Sequence, residues 1–133
     1  MVEVDDSEFP FVVGRITGDV TDDEYALWRE QLSAISANAE ERYVLVIDTT
    51  GAHVPTGHQF RFLTAWLRER ESTPNPNLMV IAYVIPSPGV RLALKALFAI
   101  QALLIPHEVV NTYAEARQLA LRYLNRGDAA VNT

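Results

Sequence analysis

A chain of 133 residues, 49% hydrophobic and 21% charged, has the size and composition of one globular domain rather than of a disordered or multidomain protein. Its formal charge of -6 argues against nonspecific attachment to nucleic acid or anionic membrane, since both require a positive footprint. The absence of cysteine removes disulfide frameworks, thiolate metal centres and cysteine nucleophiles.

The opening "MVEVDDSEFP" lacks the basic and apolar regions of an export signal, so a cytoplasmic location is expected. Val2 to Val4 is a short candidate strand, and Phe11 to Thr17, β-branched and aromatic and followed by glycine, reads as a full one. "TDDE" has the form of a capping box, in which the Thr21 hydroxyl accepts from the amide three residues on and Glu24 reaches back. Tyr25, Trp28, Leu32 and Ile35 then recur at helical spacing and predict a helix over Asp22 to Asn38, with Trp28 in the core. The acidic residues that crowd this first part, from Glu3 to Glu24, contrast with the later Arg61, Arg68, Arg70, Arg91 and Lys95. They read first as solvated surface charge, with one face acidic and another mildly basic.

"RYVLVID" is a continuous apolar run closed by an acid, the pattern of a central strand buried on both faces. After the turn "TTGAHVPTG", a second helix is expected from about Thr56, with Phe60, Leu63, Trp66 and Leu67 inward and Arg61, Arg68 and Arg70 mostly outward. "STPNPN" ends it, "LMVIAYV" is the next buried strand, and "IPSPG" leads into a third helix, Val90 to Ile105, stopped by Pro106. That helix would be about 24 Å long at ~1.5 Å per residue, too short for a bilayer core of ~30 Å. "EVV" forms a short last strand, and "TYAE" repeats the capping device with Thr112 and Glu115. A final helix follows, with Ala116, Leu119, Ala120, Tyr123 and Leu124 inward. The expected architecture is therefore α/β, a single domain over 1–125 whose mixed, mostly parallel sheet is covered by about four helices. A flexible tail is expected over 126–133.

This order of elements, together with "VLVIDTTG", the arginine in "PGVRLALKAL" and the closing "EVVNTYAEARQLALRYL", resembles the STAS-like group related to bacterial anti-sigma factor antagonists. The group shares a general shape with CRAL-TRIO lipid carriers, and the likeness runs from about Phe9 to Leu124. It implies a small cytoplasmic bacterial protein that acts by binding rather than by turnover. In the antagonists a serine beside an aspartate at the start of the second helix accepts phosphate and switches partner binding. Here "HVPTGHQ" places Thr56 and Gly57 there, a departure that argues against such a switch.

No phosphate loop, nucleophile elbow or serine–histidine arrangement is present, so no catalytic residue and no cofactor is expected. His53, His58 and Asp48 match no zinc spacing and read as exposed loop histidines and a strand-end acid. Asp48 lies at the strand end where open α/β sheets gather ligands. It can serve as a polar anchor or as the organiser of the "TTG" turn. The third helix is the strongest anomaly: Leu92, Leu94, Leu97, Phe98, Ile100, Leu103 and Leu104 spread over most of its circumference, more than one sheet face can hide. Phe98, one turn beyond Lys95 and two beyond Arg91, is expected on the outward side as an anchor for a second copy. The expected binding residues are thus Asp48, Thr56, His58, Arg61, Arg91, Lys95 and Phe98. They would face a protein partner or second protomer through the second and third helices. The alternative is a small hydrophobic, lipid-like ligand held between the third helix and the sheet.

Overall fold

The computed structural model describes residues 1–53, 56–72, 75–100 and 106–132. The expected burial of Phe60, Leu63, Trp66 and Leu67, and the orientations of Leu97, Ile100, Leu103 and Leu104, lie outside the described residues and side chains. The elements are β1 (Val2–Glu8), β2 (Phe11–Gly18), α1 (Asp22–Asn38), β3 (Tyr43–Ala52), α2 (Gly57–Ser72), β4 (Leu78–Val84), α3 (Pro88–Ile100), β5 (His107–Val110) and α4 (Tyr113–Asn132). The expected α/β class, with a mixed and mostly parallel sheet, is what forms.

The sheet order is β1-β2-β3-β4-β5. β1 pairs antiparallel with β2 through a hairpin, and β2, β3, β4 and β5 run parallel. Two strands are longer than their local patterns suggest. β1 continues to Glu8 because the hairpin gives it a ladder partner as far as Phe11. β3 continues past Asp48 because Gly51 and Ala52 pair with Thr17 and Gly18 after a register shift.

Alternation along the strands divides the core in two. On one face Val12, Ile16, Leu45, Ile47, Ile81 and Tyr83 meet Tyr25, Trp28 and Leu32 of α1 and Val90 of α3. On the other, Val13, Val46, Ala82 and Val84 meet Ala116 and Leu119 of α4, and Phe11, Val44 and Val80 meet Ala120. From Tyr43 to Ile47 every residue is buried, as expected of a central strand covered on both sides. Trp28 is 2% exposed and lies so close to β2 that a Cβ on Gly14 would stand 3.0 Å from its indole nitrogen. Glycine is required there for the close approach of helix to sheet.

Each helix begins with a hydroxyl cap. Thr21 and Glu24 form the complete capping box at α1, whose first turn also carries Asp22 and Asp23, favourably placed at the positive end of the helix dipole. At α4 the Glu115 amide donates to the Thr112 hydroxyl, 3.1 Å. At α3 the Val90 amide donates to Ser87 Oγ, 3.4 Å. Because β2 to β5 are parallel, all four capped starts lie at the same edge of the sheet, beyond the strand C-termini.

Candidate functional site

At that edge the β2–α1 and β3–α2 connections meet. β2 ends at Gly18, whose φ of 64° suits only glycine without strain. Thr56 caps α2 in a second capping box, the Gln59 amide donating to its hydroxyl (3.2 Å) and its own amide donating to Gln59 Oε1 (3.1 Å). The Gln59 side-chain amide also donates to the Val20 carbonyl, tying the start of α2 to the start of α1. His53 Nδ1 lies 2.7 Å from Asp19, and His58 Nε2 lies 3.1 Å from Asp22. Thr56 and His58 are thus brought together with Asp19, Asp22 and Gln59, which the sequence reading did not single out. The threonine-x-x-glutamine signal for Gln59 was present in "TGHQ"; the histidine partners lie in a different connection and have no local signature.

Asp48 belongs to a separate cluster on the α4 face. Its carboxylate accepts from the Thr50 amide, 3.0 Å, and from the Thr50 hydroxyl, which is the turn-organising role. Arg15, its register partner on β2, approaches it at 3.7 Å, reaches Glu3 at 3.9 Å, and lies over the Tyr113 ring at 5.4 Å. Arg91 is half-buried and donates twice to the Ile85 carbonyl, at 2.9 and 3.2 Å, and to Asn111, clamping the end of β4 to the β5–α4 connection. Arg61 and Lys95 are exposed.

Phe98 corrects the expected orientation of α3. Its ring centroid lies 5.2 Å from Tyr83 and 5.8 Å from His107, and it packs against the core with Leu94. Val90, Leu94 and Phe98, spaced by four, are therefore the inward stripe. The outward position belongs to Leu92, which is 70% exposed and followed on its side of the helix by the exposed Ala96 and Ala99.

Chemically, the edge is organised for holding connections together. The threonine hydroxyls are engaged as caps, and each histidine has a carboxylate beside it. The Glu24 carboxyl is held below the usual glutamate range, first by the Thr21 amide and further by the nearby N-terminal ammonium. Among the described residues no group of three or more histidine, aspartate or glutamate side chains could hold a metal ion. No helix among them is long and apolar enough to cross a membrane. Comparison with known proteins finds no family model and no curated sequence that matches this chain.

Proposed function

We propose that this chain is a nonenzymatic, STAS-like interaction domain of a bacterial cytoplasm that self-associates or docks a protein partner through the surface of α2 and α3. The observation that carries the reading is Leu92, a large apolar side chain left 70% exposed on a helix that packs on the core through Val90, Leu94 and Phe98. Ala96 and Ala99 beside it are small enough to let a second helix approach closely, and the exposed Lys95, three residues from Leu92 on the same helix, supplies a polar margin. The consecutive strand order, with α1 and α3 on one face and α4 on the other, gives a small α/β domain of the class that the resemblance implies.

Light scattering on the wild type and on Leu92→Glu tests it, with circular dichroism as the control for folding. The expected result is a wild-type dimer, or a dimer-sized heterocomplex after native purification, that becomes a folded monomer in the variant. A wild type that is monomeric at about millimolar concentration, where even weak specific pairing is populated, and that carries a lipid-sized adduct in native mass spectrometry, would replace this reading with the carrier alternative.

A further inference from the structure

The opposite edge of the sheet carries a surface that is electrostatically incomplete. A cleft of about 490 Å³ opens between the β1–β2 hairpin and the C-terminal end of α1. Its apolar wall includes Phe9, 40% exposed while stacked on the buried Tyr43 at 6.0 Å, and the half-buried Ile35. Its polar lining includes the carboxylates of Asp6, Glu40 and Glu41 and no cation. No ion pair reaches any of these three among the described residues.

A second, independent feature lies in the helix itself. The C-terminal end of α1 is the negative end of its dipole, which ordinarily attracts lysine, arginine or histidine. The last turn of α1 carries no basic residue, and the chain continues directly into Glu40 and Glu41. The side-chain amides of Asn38, Asn75 and Asn77 satisfy the Ala34, Ser36 and Ala39 carbonyls, but they bring no positive charge. Arg42 follows at once and, together with Glu40 and Glu41, lines the neighbouring cleft beneath α4, but it is not part of the lining of this one. Three unpaired carboxylates and a helix C-terminus therefore converge beside an exposed ring held in place by stacking.

We propose that this cleft docks a basic segment of a partner protein. An arginine or lysine side chain would lay its methylene stem on Phe9 and Ile35 and direct its head to Asp6, Glu40 and Glu41. An aromatic face combined with acid favours a cation that keeps an apolar stem. This surface is distinct from the outer face of α3, and Leu92→Glu leaves it intact.

Fluorescence anisotropy of a labelled hexapeptide alternating leucine and arginine tests the proposal. The control peptide carries citrulline, which keeps the shape and removes the charge. The arginine peptide binds, the citrulline peptide does not, and Glu40→Gln with Glu41→Gln weakens binding roughly tenfold, the scale of two partly exposed ion pairs. Asp23→Asn with Glu30→Gln, an equal change of net charge on exposed acids elsewhere, leaves binding unchanged. Equal weakening by the two double variants reduces the effect to the overall negative charge and overturns the proposal. So does failure of the arginine peptide to bind at about millimolar concentration.

Discussion

Phe98 and Leu92 lie on one helix and differ in what surrounds them. Phe98 has Tyr83 and His107 against its ring, whereas Leu92 is 70% exposed. Replacing Phe98 by alanine removes core packing and should cost about 2–4 kcal/mol, near the low end of the range for large buried aromatics because the ring is only half-buried. Urea unfolding is the measurement. A loss below ~0.5 kcal/mol, the size of an ordinary surface change, would return Phe98 to the outer face. In the sequence, Arg91 and Lys95 mark a solvent side, and Phe98 falls on it by helical spacing. Arg91 instead turns back to the Ile85 carbonyl at the sheet edge, so the face it shares with Phe98 borders the core. An arginine with a free carbonyl within reach does not report solvent, and nothing in a single helix identifies that carbonyl. Asp48 shows the opposite case. Its turn role rests on Thr50, two residues away, and was legible, while its approach to Arg15 depends on strand register and was not.

At the scale of elements, the helix starts were the most legible feature, because a capping box is a four-residue signal that needs no tertiary partner. "TDDE" and "TYAE" announced α1 and α4 correctly, and the strand ends were less clear because ladder pairing decides them. The α1 box also makes stability depend on pH with a definite sign. The folded-state pKa of Glu24 is depressed by the Thr21 amide, so its contribution is present above the ordinary glutamate range and is lost as pH falls through the lowered value. The melting temperature of the wild type should accordingly fall more steeply on acidification below about pH 4.3 than that of Glu24→Gln, whose neutral amide keeps the acceptor without titrating. Thermal melts across that interval decide it. Parallel curves for the two proteins would mean that the box carries no ionic component.

At the scale of the whole molecule, the two faces of the sheet are unequally protected. One is shared by α1 and α3, with α2 tied beside α1 through Gln59 and through the Arg29–Glu69 pair. The other depends, among the described residues, on α4, whose Ala116 and Ala120 let it lie close against the strands. Removing the chain from Tyr113 onward would uncover Phe11, Val13, Val44, Val46, Val80 and Val84. At ~1.5–3 kcal/mol for each large apolar side chain, the loss is as large as the ~5–15 kcal/mol by which a domain is ordinarily stable. Such a truncation should show no cooperative melt. Removing only 126–133 is a different matter, because that stretch contains no apolar side chain larger than Val131. That shorter chain should melt cooperatively within a few degrees of the wild type, the shift expected of a change under about 1 kcal/mol. A large drop would place part of the folding unit beyond residue 125 and extend the domain to the end of α4. A cooperative melt of the chain lacking all of α4 would instead mean that the second sheet face is stable without its helix, and the two-sided core described above would not be what holds the domain together.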